Sequence, residues 1–170
     1  RSGDTPAAIM MQGGAPAARR MRWGMPMADR SRLVINARSE KVEQTGMFAG
    51  LLENNRCLLP ANLYYEWTRD AAHTRMKITG GSDMYMAGLF RACADEARWE
   101  FVVLTKQAVG DVARVHDRMP LLLPDRESRR GWLRDGAYAR QLLRTPPRAL
   151  LKIVADEPEQ TDLFSLIDGI

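Results

Sequence analysis

The sequence is poor in cysteine and histidine, and it lacks any long apolar run. Its 170 residues contain two cysteines and two histidines. Cys57 and Cys93 are far apart and show no CxxC spacing, so the sequence predicts neither a disulfide framework nor a zinc site. No apolar stretch approaches the roughly 18 residues of a membrane span, and no signal-peptide pattern opens the chain. These absences predict a cytoplasmic protein without metal, cofactor or membrane contact.

The common signatures of catalysis are also missing. The sequence contains no GxxxxGKS or GxxxxGKT loop, no GxSxG and no HExxH. Phosphate-loop nucleotide hydrolysis, α/β-hydrolase chemistry and helix-borne zinc proteolysis therefore lack their motifs. The net charge of +4 is compatible with a phosphate-bearing partner without requiring one.

Short apolar runs separated by turns cover most of the chain. Strands are predicted at residues 7–11, 33–35, 57–59, 63–67, 76–78, 84–90, 101–104 and 150–154. Helical patterns follow Thr45, which is a candidate cap, cover residues 108–113, and follow Pro124 with Trp132 and Leu133 inward. The chain shows no internal repeat and no strict βαβα alternation. We therefore expect one α+β domain over residues 1–170, built on a curved, mostly antiparallel, barrel-like sheet with flanking helices.

Three polar residues stand within or beside apolar runs: Asn36, Glu66 and His116. Glu66 alternates with Tyr65 and Trp67, so its carboxylate points to the face opposite those rings. There it is either solvated or paired with an arginine, or it lies in a partly desolvated cleft that would raise its pKa for acid–base work. His116 could equally be a structural histidine that bonds a loop carbonyl, and Asn36 could cap a turn. The residues alone predict a polar cluster and no particular reaction.

Six blocks in order resemble the SOS response-associated peptidase (SRAP) family. They are MRWG (21–24), INARSE (35–40), NRCLLPANLYYEW (55–67), YMAGLF (85–90), FVVLT (101–105) and VHDRMPLLLP (115–124). TPP at 145–147 and DLF at 162–164 also fit. Six blocks at compatible spacing are far more specific than any one of them.

This resemblance implies recognition of abasic sites in single-stranded DNA, with a covalent bond formed through a cysteine at the mature amino terminus. It places Asn36, Glu66 and His116 in the active site and makes Arg38 and Arg118 candidates for phosphate contacts. Glu66 would move protons while the terminal amine and thiol close a thiazolidine ring on the sugar aldehyde. Asn36 would hold the amine, and His116 would bond the opened sugar. Glu66 and Asn36 would also serve self-processing of the amino terminus.

The remaining DNA contacts are expected from arginines for phosphates and apolar side chains for bases. The candidates are Arg22, Trp23, Met25 and Pro26. For Trp23 a core position is at least as good an interpretation as base stacking. Arginines 126, 129 and 130 are interpreted as the solvated face of a helix.

The chain departs from the family pattern at its start, because it begins with Arg1 and neither Cys57 nor Cys93 aligns with a catalytic position. We expect that a segment carrying the cysteine precedes Arg1. The alternative is a non-catalytic single-stranded DNA-binding module that has lost its nucleophile. A cysteine hydrolase is a third hypothesis, and it requires a thiol beside His116. In each case we expect a monomer, associated with the nucleoid when bound to DNA.

Overall fold

The structure is a computed structural model that describes residues 3–27, 29, 32–93, 98–148 and 150–154. The DLF block at 162–164 lies outside the described residues. The strands are β1 (Ala7–Gln12), β2 (Ala15–Arg20), β3 (Arg22–Trp23), β4 (Met25–Pro26), β5 (Leu33–Val34), β6 (Asn36–Arg38), β7 (Arg56–Trp67), β8 (Arg75–Ala92), β9 (Trp99–Gln107), β10 (Arg118–Pro120) and β11 (Lys152–Val154). The α-helices are α1 (Gly46–Asn54), α2 (Arg126–Arg134) and α3 (Gly136–Arg144), and two 3-10 helices cover Ser39–Gln44 and Gly110–Arg114.

Nine of these strands form one curled sheet in the order β10-β9-β8-β7-β1-β2, with antiparallel pairing along that path. β11 pairs with β8, whereas β3 and β6 pair in parallel with β9. Because β3 directly follows β2 and pairs with β9, the sheet closes on itself over much of its circumference. The expected α+β class with a curved, mostly antiparallel sheet is confirmed. None of the described helices is long and apolar enough to cross a membrane.

Two predicted pairs of strands are each a single long strand. β7 runs through Pro60 with a register shift between Ala61 and Leu63, and β8 runs through residues 79–83. β1 pairs with β7 only at Cys57 and Leu58, so Pro60 lies where one edge of β7 has no partner strand among the described residues.

Two helix predictions need correction. The predicted helix over residues 108–113 is wrong, because only a short 3-10 helix forms there and Gly110 has a positive φ of 63°. Thr45 is the residue before α1, as predicted. Its hydroxyl donates to the carbonyl of Lys41 at 2.8 Å and makes no cap hydrogen bond to α1.

Two apolar clusters fill the molecule, one on each face of the sheet. The first includes Met10, Ile78 and Val103, and lies on the concave side. The second lies between the sheet and the helices, where Trp132 is fully buried and its indole N–H donates to the carbonyl of Cys57 at 3.0 Å. The predicted inward position of Trp132 is therefore confirmed.

β3 and β6 lie one after the other along β9. Trp23 pairs with Phe101, and Asn36 pairs with Val103 two residues further on. Between them the chain leaves β9 at Gly24, whose φ of 114° favours glycine, and β4 pairs with β5 outside the main sheet. This detour returns the chain to β9 at Asn36.

Candidate functional site

Glu66 is half-buried on β7, and its neighbours Tyr65 and Trp67 are 39% and 44% exposed. The alternation of a strand therefore places the carboxylate on the face opposite the two rings, as the sequence predicts. Burial raises the pKa of Glu66, the charge of nearby His116 opposes the rise, and Asp117 reinforces it. A carboxyl with this bias exchanges protons more readily near neutral pH than an exposed one.

Tyr64 shares the concave face with Glu66, because it packs against the first apolar cluster and lies two residues before Glu66 on the same strand. Its hydroxyl is buried and has no hydrogen-bond partner among the described residues. Burial, reinforced by the charge of Glu66, raises the pKa of Tyr64. Tyr64 was not predicted as a site residue, although the period of two in LYYEW predicts that it shares a face with Glu66.

His116 lies between the 3-10 helix at Gly110–Arg114 and β10. Its Nδ1 lies 3.0 Å from the backbone nitrogen of Arg118 and 3.3 Å from the carbonyl oxygen of the same residue. The same Nδ1 lies 3.4 Å from a carboxylate oxygen of Asp117. The side chain is 32% exposed. The backbone of Arg118 therefore orients the ring, and one edge of the ring remains accessible to solvent.

Asn36 and Arg38 are exposed residues on either side of buried Ala37 in β6. Asn36 pairs with Val103 of the first cluster, and Ala37 packs in the second cluster, so Asn36 and Arg38 lie on the same side of the sheet as Tyr64 and Glu66. Neither the amide of Asn36 nor the guanidinium of Arg38 pairs with another described residue. Both groups are therefore open to a ligand.

Arg118 is held by three short hydrogen bonds. Its guanidinium donates to both carboxylate oxygens of Glu40, at 2.7 and 2.9 Å, and to the carbonyl of Thr105 at 2.7 Å. This contact lowers the pKa of Glu40. Thr105 also pairs with Arg38 in the sheet. Arg118 thus joins the strand that carries Arg38 to the segment that carries His116, and a phosphate would compete with Glu40 for it.

Arg22 and Trp23 lie beside the start of β9, and their side chains contact other residues of the protein. Arg22 is 3.6 Å from the buried carboxylate of Glu100. The indole N–H of Trp23 donates to the carbonyl of Ile35 at 3.0 Å, and its ring lies parallel to Phe101 at 6.4 Å. Trp23 therefore anchors the residue that precedes Asn36, and the contacts favour the core interpretation.

Met25 and Pro26 follow at the start of the detour. The side chain of Met25 is fully buried, so a contact with DNA would require it to leave the second apolar cluster. Pro26 is half-buried, and its carbonyl accepts from Arg91 at 3.4 Å. The structure thus brings Glu66 near His116 and links Arg118 to the strand that carries Asn36 and Arg38. Trp23 lies two residues from Asn36 along β9, and Met25 and Pro26 lie outside the main sheet.

An exposed aromatic surface at the ends of β7 and β8 adjoins Glu66 in sequence. Trp67 stacks on His73 with ring centroids 6.3 Å apart, and the guanidinium of Arg75 lies 4.7 Å from the centre of the Tyr65 ring. We call Tyr65, Trp67, His73 and Arg75 the hairpin surface. From the sequence, Tyr65 and Trp67 indicated only the direction of Glu66, and no role was predicted for the rings themselves.

Cys57 is fully buried, and its thiol has a raised pKa because of that burial. Cys57 lies in the first apolar cluster, and the described side-chain contacts of His116 are with Asp117 and Arg118, so the cysteine hydrolase hypothesis gains no support. Among the described residues, no group of three histidine, cysteine or acidic side chains is placed to hold a metal ion.

A family model described as SOS response associated peptidase (SRAP) matches residues 3–157. The chain is similar to the abasic site processing protein YobE of Bacillus subtilis, at 29% identity over 80% of this chain and 64% of that protein. It is also similar to the abasic site processing protein YoaM of the same organism, at 27% identity over 80% of this chain and 61% of that protein. The chain thus spans less than two thirds of the length of these relatives.

Solved structures share the fold. A phage-related protein from Bordetella bronchiseptica superposes with a TM-score of 0.74 at 28% identity, covering 91% of this chain and 79% of that one. A protein from Bacteroides thetaiotaomicron superposes with a TM-score of 0.71 at 19% identity, covering 89% and 75%. The second likeness concerns the fold alone.

Proposed function

The chain belongs to the SOS response-associated peptidase family, and from that premise we propose that it recognises abasic sites in single-stranded DNA. The observation that carries the proposal is the proximity of Glu66, whose pKa burial raises, to the ring of His116, on a side of the sheet that also presents Asn36 and Arg38. The curated relatives named as abasic site processing proteins support it. The acting form is a monomer, associated with the nucleoid in the cytoplasm.

DNA binding in this proposal uses charge and stacking rather than base reading. Arg38, exposed and without a described partner, contacts a phosphate. Trp67 and Tyr65 of the hairpin surface lie on the face of β7 opposite Glu66, and they stack on bases where the strand passes the end of β7. Stacking of this kind tolerates any base, as recognition of a site without a base requires.

The covalent step requires a cysteine at the mature amino terminus, which we place in a segment preceding Arg1. Its α-amine adds to the sugar aldehyde and water leaves, giving an imine. The thiol then adds to the imine carbon while its proton passes to the nitrogen, which closes a thiazolidine ring. Glu66 takes a proton from the terminal ammonium, which frees the amine to attack, and returns one to the departing hydroxyl. Asn36 holds the amine, and His116 bonds a sugar hydroxyl. Glu66 and Asn36 also process the amino terminus.

Recognition is tested separately from chemistry with the 170-residue chain. Fluorescence anisotropy compares an oligonucleotide of about 6 nucleotides that carries a central tetrahydrofuran abasic analogue with the same oligonucleotide fully based. We expect tighter binding of the abasic strand. Equal affinities would contradict abasic recognition and leave the alternative of a general single-stranded DNA-binding module.

Two variants test the proposed surface. Trp67→Ala should weaken binding by about 1–3 kcal/mol, the usual contribution of one stacked base. Arg38→Gln should reduce the slope of log K against log salt by about 0.7, the value of one phosphate contact on a single strand. Lys152→Gln, on exposed β11, removes the same charge from a residue outside the proposed contacts and should change neither quantity.

The covalent step is tested with the complete protein and an oligonucleotide bearing a natural abasic site. We expect an adduct that survives denaturing electrophoresis, formed more slowly by Glu66→Gln. If the complete protein binds the abasic strand selectively but leaves no such adduct, the chain is a recognition module without the crosslinking reaction.

A further inference from the structure

α2 carries four arginines within nine residues. Arg126, Arg130 and Arg134 are exposed and follow one another at intervals of four, so they lie along one face of the helix, while Ser128 and Trp132 are buried on the other. With a rise of about 1.5 Å per residue, neighbouring arginines of this row are about 6 Å apart and the row is about 12 Å long. We call these three residues the arginine row.

Among the residues that the structure describes, the arginine row has no acidic partner. No described acidic side chain pairs with Arg126 or Arg130, and Arg134 donates only to the carbonyl of Gly14, at 3.3 Å. Glu127 lies on the same helix but forms no ion pair with a described residue. A backbone carbonyl orients a guanidinium without cancelling its charge, so the row keeps its positive potential.

The adjacent helix α3 is arranged differently. Arg140 pairs with Glu53 and lies 3.5 Å from Glu43, and Arg144 reaches Glu43 at 2.9 Å. A helix arginine whose role is only solubility can be paired or unpaired. The α3 arginines are paired with glutamates, whereas the arginine row has no described acidic partner. Of these two neighbouring helices, α2 therefore carries the stronger positive potential.

We propose that the arginine row is a second, sequence-independent contact for the phosphodiester backbone of the same DNA, used by strands that continue beyond the candidate site. The row presents three guanidinium groups, so it can contact about three phosphates of one strand. Guanidinium groups bind phosphate oxygens through two parallel hydrogen bonds. The inference rests on the proposed function only for the identity of the partner.

The distance between the candidate site and α2 determines how long a DNA strand must be to contact both. α2 begins eight residues after Arg118, which limits the separation of Arg118 and Arg126 to about 28 Å at full extension. A strand of about 6 nucleotides centred on the candidate site covers that site alone, whereas one of about 30 nucleotides covers both surfaces. Length of the DNA therefore separates the two contributions.

The test compares Arg126→Gln/Arg130→Gln with Arg140→Gln/Arg144→Gln, a control that removes the same charge from the neutralised helix. Each is titrated with undamaged and abasic single strands of about 6 and about 30 nucleotides, at several salt concentrations. For the long strands we expect the first variant to lose about 1.4 from the slope of log K against log salt, two phosphate contacts, and the control to lose none. Neither variant should change binding of the short strands.

Two outcomes overturn the proposal: a long-strand slope that the first variant leaves unchanged, or an equal loss in the control, which would indicate net charge alone. Thermal denaturation of both variants identifies any loss caused by unfolding. A failure of abasic recognition has a different signature, because it removes the preference for the abasic strand among short oligonucleotides and leaves the difference between long and short strands intact.

Discussion

Removing the guanidinium of Arg118 should destabilise the protein more than removing the charge of its partner Glu40. Arg118 is 16% exposed and Glu40 is 49% exposed. Because solvent screens the outer half of the pair, the ion pair should contribute at most about 1 kcal/mol. The hydrogen bond to the carbonyl of Thr105, which is buried, should contribute about 1.5–3 kcal/mol, since its donor is charged.

Arg118→Met loses both contributions, so we expect it to reduce the free energy of unfolding by about 2–4 kcal/mol. Glu40→Gln should reduce it by about 1 kcal/mol or less. At about 2–4 °C per kcal/mol for a chain of this size, the melting temperature of Arg118→Met should fall by roughly 5–15 °C. Circular dichroism melts of both single variants and the double variant give the coupling energy.

The pH dependence provides an independent check on the same contact. Arg118 lowers the pKa of Glu40 below its ordinary value of 4.5, so this stabilisation is present above pH 4.5 and is lost as the pH falls through the folded pKa. Arg118→Met should lack this part of the acid sensitivity. Equal losses from Arg118→Met and Glu40→Gln at neutral pH would refute the reasoning, because they would show that the Thr105 bond contributes nothing.

Glu40→Gln also tests whether Arg118 contacts phosphate. The substitution weakens the competitor for the guanidinium, so DNA affinity should rise if Arg118 binds a phosphate. An unchanged affinity, measured by anisotropy at fixed salt, would leave Arg118 as a residue that positions β10 and the backbone of His116.

Three further predictions concern stability. Because burial raises the pKa of Glu66 above its ordinary value of 4.5, ionisation disfavours the folded state, and the melting temperature of Glu66→Gln relative to the native chain should increase as the pH rises from 4.5 to 7; a constant difference would contradict this. Gly88→Ala should lower the free energy of unfolding by about 1–3 kcal/mol in denaturant titrations, since an added Cβ would meet the sulfur of Cys57 at 2.9 Å; a neutral result would mean that the sheet relaxes. Glu100→Gln should lower the free energy of unfolding by about 1.5–3 kcal/mol, because it removes the charge of the nearly buried partner of Arg91, and a native-like melt would contradict this.

The sequence was sufficient to locate β1, β5, β7, β8, β9 and β11, because alternation and apolar runs persist locally, but it did not predict β2, β3, β4, β6 or β10. It was also insufficient to find the lengths of the strands. Pro60 looked like the end of a strand, yet the edge of β7 beside it lacks a partner strand over the described residues, and a proline is tolerated there. The apolar stripe at residues 108–113 looked helical, but Gly110 takes a positive φ that ends the pattern. The continuation of β7 and the loss of the helix both depend on contacts with residues distant in sequence, which a short stretch of sequence does not show.

The candidate site was predictable as a set of residue types and less so as a set of contacts. Asn36, Glu66 and His116 stood out as polar residues beside apolar runs, and the alternation around Glu66 gave its direction. The engagement of Arg118 by Glu40 joins positions 78 residues apart, so no periodicity reports it. The burial that raises the pKa of Glu66 likewise depends on the curl of the whole sheet.

The detour between β3 and β6 lies outside the main sheet, whereas Trp23 and Asn36 at its two ends are part of it. Trp23 and Asn36 sit two rungs apart on β9, and each is fixed by β9 rather than by the residues that connect them. Insertions or deletions between Gly24 and Ile35 can therefore be absorbed outside the main sheet. The connection between β4 and β5 can therefore change in length while the amide of Asn36 keeps its position, whereas Met25 is fixed by its burial in the second apolar cluster.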